Sequence, residues 1–356
     1  MRESTAKENK VYKMELRKDY VINRYVFVNT QRSRRPSDFK TGSSENRKDK
    51  AAASQKTQDP SRESMNMNSE QPAGNYDAKC PFCLGNEQKT PSEIGRIEVD
   101  GHWDIRWLPN KFPIVENKGN YLINTDNNYF TFSDCYGLHD IIIETPNHNE
   151  QFWDFSSERI SNILKVMGWR TKEMYQQKSI SYVHCFKNHG KDAGASLAHS
   201  HSQIIGLNHV PRDVLDKAQL SNSRGSCDYC RIIETESRSF RSILETPNFI
   251  SFAPYASISN LEVAVFPKAH VRFLYELENQ LDELSAHIEL VVKKLKSLNS
   301  SFNILFFQSP KDYNLHFHIE IHPRLTKWAG LELAGSFVTS ITPEDAALFY
   351  KGDLLD

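Results

Sequence analysis

The chain has 356 residues, with Lys and Arg totalling 44 against 45 Asp and Glu, and a formal net charge of −1. That length allows two domains of ordinary size and a sizeable core, while the charge balance excludes the basic footprint that broad nucleic-acid binding needs. The first twenty residues carry charges throughout and lack the apolar centre of a secretory signal, and no run of about eighteen apolar residues is available to span a bilayer, so a cytoplasmic location without a membrane partner is expected.

Residues 1–13 read as a flexible terminus. In MELRKDYVINRYVFVNT, at 14–30, the β-rich run Tyr20 to Val28 is expected as a strand, and the basic turn QRSRRPSDF follows. From Lys40 to about Lys79 almost nothing large and apolar remains. Such a segment cannot offset its ordering entropy and reads as a disordered insertion, 40–79, inside the first unit.

From Cys80 the chain approximately repeats itself. CPFC at 80–83 leads through IRWLPNKFPIV to a strand in HDIIIETPNH that ends at His148. A helix over Ser156 to Gln177, a strand YVHCF and the motif HSHSQ at 199–203 follow. CDYC at 227–230 opens the second copy, which runs through FISFAPY and LEVAVFPKAH, ending at His270. The amphipathic helix NQLDELSAHIELVVKKLKSL, the strand FNILFFQ and HFHIE at 316–320 complete it. Five elements recurring in one order predict an α+β fold of two similar halves, 14–210 and 211–356, each an antiparallel sheet with a packed helix.

Four of the six cysteines fall in the two CxxC pairs. In a reducing compartment such pairs read as metal ligands or redox centres before disulfides. Two Cys with two His is a common structural zinc set, so Cys80, Cys83, His148 and His199 form one predicted site and Cys227, Cys230, His270 and His316 the other, giving two Zn2+ per chain. His316 is preferred to His318 because it corresponds to His199.

In an extended HSHSQ, His199 and His201 project to one side. If His199 is pinned by metal, His201 is held still, as a reacting group must be. A neutral imidazole nitrogen suits attack on an α-phosphorus, because the N–P bond it forms stays labile to a second attack. Gln203, two residues further along the same face, is a candidate donor to the transferred phosphate. The preceding loop NHGKDAGASLA holds Gly190, Gly194 and Ser196, whose backbone N–H groups can approach a phosphate closely.

The segments ELRKDY, QRSRRP, CPFCLGNE, LPNKFP, ETPNH, KNHG, GASLAHSHSQ, HFHIEIHP and SITPEDAALFY together resemble the galactose-1-phosphate uridylyltransferases, a branch of the histidine-triad superfamily. The resemblance spans nearly the whole chain apart from 1–13 and 40–79. It implies a ping-pong reaction in which a nucleotide sugar leaves its nucleoside monophosphate on His201, with Gln203 assisting, before a sugar 1-phosphate or phosphate accepts it. It further implies that Arg32 and Arg35 hold substrate phosphates, that Asn110 and Phe112 face the nucleoside, that Asn188, Gly190 and Ser196 form a phosphate-binding loop, and that the chain is a homodimer.

The expected reaction is exchange of UMP between UDP-glucose and a hexose 1-phosphate. HSHSQ has serines where the best-known uridylyltransferases carry proline and glycine, and is similar to a branch of ADP-glucose phosphorylases, so adenylyl transfer to phosphate is the alternative. A zinc-stabilised nucleotide-binding protein without turnover is the reading from another class. His318 matches His201 in position but lacks a glycine-containing loop before it, and is not expected to form a second centre. Trp103, Trp107, Phe112 and Tyr136 are candidates for a base pocket, although aromatic residues at strand spacing are more often core. His139, His184, His189, His209, His287 and His322 read as ordinary surface, core or helix residues.

Overall fold

The computed structural model describes residues 14–21, 23–29, 75–221, 223 and 225–353. The expected flexible terminus, Arg32 and Arg35, and residues 40–74 of the expected insertion lie outside the described residues. Residues 75–79, also assigned to that insertion, pack instead against the first cysteine pair. The Asn75 carbonyl accepts from the His148 N–H, and the Asp77 N–H meets Cys83 Sγ at 3.3 Å.

The expected strand Tyr20 to Val28 is a hairpin of β1 (Met14–Lys18) and β2 (Tyr25–Asn29), paired from Met14 with Asn29 to Lys18 with Tyr25. The Asp19 carboxylate accepts from the Val21 N–H and from Arg24, a local turn that outweighs the β-propensity of the residues between. Together with β5 (Asn124–Asp126) and β6 (Phe130–Asp134) the hairpin makes a small antiparallel sheet, ordered β2-β1-β6-β5.

Among the described residues, ten strands form the main sheet. The first half supplies β3 (Gly95–Val99), β4 (His102–Pro109), β7 (Gly137–Ile143), β8 (Tyr182–His189) and β9 (His201–Leu207). From the second come β10 (Ser242–Glu245), β11 (Phe249–Phe252), β12 (Val263–Pro267), β13 (Phe302–Phe307) and β14 (His318–Pro323). Antiparallel pairing of β8 with β13 joins the halves edge to edge. Outward from that seam the orders are β8-β9-β7-β4-β3 and β13-β14-β12-β11-β10, the same sequence of roles on both sides.

One long helix per half lies on a single face: α1 (Ser157–Gln176), capped by Ser156 accepting from the Arg159 N–H, and α4 (Leu281–Ser297). Ile160, Ile163, Leu164 and Met167 of α1 and Leu284, Ile288, Val291 and Leu295 of α4 meet Ile142, Cys185, Ile204, Ile304 and Ile319 of the sheet in one buried core. Burial of this kind removes about 1.5–3 kcal/mol of apolar exposure per large side chain. Shorter helices α2 (Arg212–Leu220), α3 (Asp228–Glu236), α5 (Gly330–Leu333) and α6 (Pro343–Lys351) complete the described fold. In α6 the cap is Thr342 and Pro343 stands in the first turn, where its missing N–H costs nothing.

Neither histidine-bearing strand reaches as far as the sequence suggests. β7 stops at Ile143 and β12 at Pro267, so His148 and His270 stand on the irregular segments that follow. Pro146 and Pro267 have no N–H to extend a ladder. β9 likewise starts at His201 and leaves His199 just outside it.

Candidate active site and metal centres

The first cluster is buried. Cys80 Sγ lies 3.5 Å from His199 Nδ1, and Cys83 Sγ lies 3.3 Å from His148 Nδ1 and 3.7 Å from His199 Nδ1. Four ligands around a tetrahedral zinc stand about 3.3–3.8 Å apart, given bonds near 2.0 Å to nitrogen and 2.3 Å to sulfur. His199 Nε2–H donates to the Thr145 carbonyl at 2.8 Å, which fixes the tautomer and leaves Nδ1 with its lone pair toward the thiols.

The second cluster repeats this plan nearer the surface. Cys230 Sγ is 3.5 Å from both His270 Nδ1 and His316 Nδ1, with Cys227 Sγ 4.0 Å from His316. His316 Nε2 donates to the Pro267 carbonyl at 2.9 Å, and His270 Nε2 to Asn314 Oδ1 at 3.1 Å. In each group the four ligand atoms lie within 4.8 Å of one another. Burial pushes the Cys80 thiol up to about 12 and Cys230 up to about 11. A thiolate there needs a cation beside it, so the donor sets fit a bound zinc-like ion.

Beside the first cluster lies an open cavity of about 60 Å³, lined among others by Phe82, Leu108, Asn110, Phe112, Ser196 and His201. Its lining is largely apolar, with Lys89, Thr90 and Lys111 supplying polar groups. That is the composition of a ligand pocket. His201 Nδ1–H donates to the His199 carbonyl at 2.8 Å, so in the neutral ring Nε2 carries the lone pair. The Phe82 ring packs edge-on against both His201, at 5.4 Å, and His199 of the Cys/His cluster, at 6.0 Å.

Asn110, Phe112, Ser196 and His201 thus line one cavity, while Asn188, Gly190 and Gln203 lie outside that lining. Asn188 accepts from Asn303 of the second half at 2.8 Å. Gly190 has φ +80, and a Cβ there would stand 2.2 Å from Ser301 Oγ, so close packing on the second half by itself demands glycine. Gln203 is buried, its Oε1 3.0 Å from His139 Nε2. The Ile114 N–H donates to His139 Nδ1, and His139 Nε2 stands 3.0 Å from both Gln203 Oε1 and the Asn110 amide nitrogen, so the ring bridges Gln203 and Asn110. The Gln203 amide NH2 is thereby turned away from His139. His139, expected only as an ordinary surface, core or helix residue, lies on β7 beside the HxHxQ strand, the one local sign of this contact.

Of the aromatic candidates only Phe112 lines the cavity. Trp103 packs in the core behind Cys80 and Phe82, Trp107 lies against Trp169, and Tyr136 donates to Asn117. In the second half the equivalent space is filled. His318 is sandwiched between Phe266 and Phe307, both with centroids at 4.8 Å and nearly parallel rings.

A third group, Glu262, Glu320 and His322, has a different character. His322 sets Nδ1 toward Glu262 at 3.7 Å and Nε2 toward Glu320 at 3.2 Å, so its ring bridges the carboxylates from opposite nitrogens and does not converge with them on one point. Burial opposes charge on Glu320, but the hydrogen bond from His322 and the Lys217 ammonium outweigh it and hold its carboxyl well below the usual range. This is an internal ion network.

A sequence model described as galactose-1-phosphate uridyl transferase, N-terminal domain, matches residues 3–211. The chain belongs to the galactose-1-phosphate uridylyltransferase family. Among relatives in that family, ADP-glucose phosphorylase of Arabidopsis thaliana is 30% identical over 94% of this chain and 91% of its own length. Galactose-1-phosphate uridylyltransferase of Thermotoga maritima is 25% identical over 76% and 87%. The solved ADP-glucose phosphorylase from Arabidopsis thaliana with bound ADP-glucose superposes with a TM-score of 0.68 at 28% identity, covering 96% of this chain and all of that one. A solved uridylyltransferase gives 0.72 at 25% identity over 95% and 97%. Family membership makes the chain a nucleotidyltransferase or phosphorylase acting on nucleotide sugars and phosphate or sugar phosphate.

Proposed function

We propose that the chain transfers a nucleoside monophosphate from a nucleotide sugar through a covalent intermediate on His201. The observation that carries this reading is His201 at a cavity wall with Nδ1 committed to the His199 carbonyl. His201 Nε2 attacks the α-phosphorus, the N–P bond forms, and the bond from that phosphorus to the oxygen bridging the β-phosphate breaks. Sugar 1-phosphate leaves with that electron pair. An acceptor phosphate oxygen then attacks the same phosphorus, and the P–N bond breaks to return the neutral ring.

The His199 carbonyl meets the positive charge that develops on the imidazole, because it already accepts the Nδ1 proton. The Gln203 amide, oriented by His139, serves the phosphate oxygens, joined by Ser196, the loop at Asn188 and Gly190, and the arginines Arg32 and Arg35. Asn110 and Phe112 face the nucleoside. Zinc held by Cys80, Cys83, His148 and His199, and a second by Cys227, Cys230, His270 and His316, supply structural rigidity. Two halves, 14–210 and 211–356, a cytoplasmic homodimer and these ligand roles belong to the same proposal.

Between donors, the relative matched over 94% of the chain supports ADP-glucose with phosphate as acceptor. UDP-glucose with a hexose 1-phosphate is the second reading, supported by the family match over residues 3–211. Ser200 and Ser202, which set this motif apart, both donate to Glu144, so they do not read the base by contact. Incubation with α-labelled ADP-glucose or UDP-glucose, followed by a search for acid-labile label on the protein, separates the donors. Absence of label with either supports a binding protein without turnover.

A further inference from the structure

Glu144 and Lys187 form an ion pair with almost no solvent contact, at 2.5 Å, beyond the end of β7 and within β8. Ile142, Cys185 and Ile204 face the helices, and the two-residue period of a strand puts Glu144, Lys187, Ser200 and Ser202 on that same side. His201 points to the other side, toward the cavity. Glu144 Oε2 accepts from Ser200 Oγ at 2.6 Å, and Glu144 Oε1 accepts from Ser202 Oγ. Lys187 Nζ donates to Ser200 Oγ at 3.0 Å and to the His201 carbonyl at 3.2 Å. The Glu144 N–H donates to the Ser200 carbonyl at 3.3 Å. Every residue of Ser200-His201-Ser202 is therefore tied to one of two charges.

An ion pair buried this deeply is a poor source of stability, since desolvation offsets its attraction and apolar replacements of similar volume are often neutral or better. The molecule contains its own comparison. Ser200 and Ser202 correspond to Phe317 and Ile319 in the second half. Extending the β8–β9 register by one residue sets Lys187 opposite Ser202, as Phe306 is opposite Ile319. Phe306, Phe317 and Ile319 are all buried in the apolar core. The same fold is thus satisfied without charge in the half whose histidine, His318, is stacked shut.

We infer that Glu144 and Lys187 are positioning residues for His201, fixing through Ser200, Ser202 and the His201 carbonyl the direction in which the ring is presented. This rests on the reading of His201 as nucleophile. It adds that the serines of HSHSQ act through the back of the strand, where proline and glycine would offer no hydroxyl.

The test compares wild-type protein with the Ser200→Ala/Ser202→Ala double variant. A second variant, Glu144→Leu/Lys187→Met, copies the apolar character of the other half. Single-turnover labelling is measured with saturating ADP-glucose and UDP-glucose. Exchange of the His201 Nδ1 proton with water is followed by NMR on protein carrying 15N-histidine, the resonance being assigned by its loss in His201→Asn. Zinc content and nucleotide affinity are measured alongside. The expected result is unchanged zinc, affinity within about twofold, labelling slower by about ten- to a hundredfold, and faster exchange of the Nδ1 proton in both variants. Wild-type labelling and exchange rates in the variants would overturn the inference, as would a loss of rate that follows loss of zinc. Should the wild-type protein take label from neither donor, the nucleophile reading fails, and the proton exchange still decides whether the pair positions the ring.

Discussion

His318 stands in the second half where His201 stands in the first, and both rings make the same bond, Nδ1 to the carbonyl two residues earlier, at 2.9 and 2.8 Å. What separates them is the space in front. Phe82 meets His201 edge-on and leaves a cavity, whereas Phe266 and Phe307 close over both faces of His318. Replacing His318 by Phe should preserve that stack and leave nucleotidyl transfer within about threefold of wild type, because no reacting atom is touched. Steady-state rates with the donor that labels decide this; a loss of a hundredfold or more would mean that the second half takes part in the chemistry.

Gln203 is aimed by His139. His139→Ala should slow labelling by about ten- to a hundredfold with little change in donor affinity, since the amide loses the partner that fixes its direction. Stopped-flow or quench measurements at saturating donor separate this from weakened binding. An effect on affinity alone would place Gln203 in ground-state binding only.

Metal and fold should be lost together. Zinc analysis is expected to find about two ions per chain, and Cys80→Ser to lose about one of them with a clear fall in thermal midpoint, because metal binding contributes to folding free energy in such sites. Cys227→Ser should remove the other ion and leave more of the labelling activity, since none of its cluster's residues lines the cavity. Wild-type zinc in Cys80→Ser would refute the first ligand set.

Acid should destabilise the protein through its buried neutral histidines. Burial lowers His189 to about 3 and His209 and His287 to about 4, against an ordinary value of 6.5. Below 6.5 the unfolded chain takes up protons that these folded residues refuse, so stability falls as pH drops from about 6.5 toward 4. Above 6.5 they impose no slope. Each contributes up to about 1.4 kcal/mol per pH unit within that window. Thermal midpoints between pH 7.5 and 5 with zinc in excess check this, and His287→Gln should flatten the dependence. An unchanged slope in that variant would contradict the assignment.

Much of this architecture was legible because its signals are local. CxxC pairs, helices over Ser157–Gln176 and Leu281–Ser297, and the order of elements all sit in short stretches of sequence. The four-residue metal groupings followed because each ligand recurs at the same place in both halves. What lay hidden depends on contacts between distant residues. Joining of β8 to β13, the pairing of β1 with β6, and the Glu144–Lys187 pair are pairings that no window of sequence displays. Gly190 was read as admitting phosphate, whereas its packing against Ser301 comes from a segment more than a hundred residues away. The strand across Tyr20 to Val28 failed for a local reason, the turn chemistry of Asp19.

The most direct test is mass analysis of the protein after brief mixing with ADP-glucose or UDP-glucose in the absence of acceptor. The account predicts one adenylyl or uridylyl group on the peptide containing His201, removed by mild acid and by added phosphate or sugar 1-phosphate, and absent from folded, zinc-loaded His201→Asn protein. Turnover of the nucleotide sugar with no adduct on His201, or an adduct that persists in His201→Asn, would contradict it.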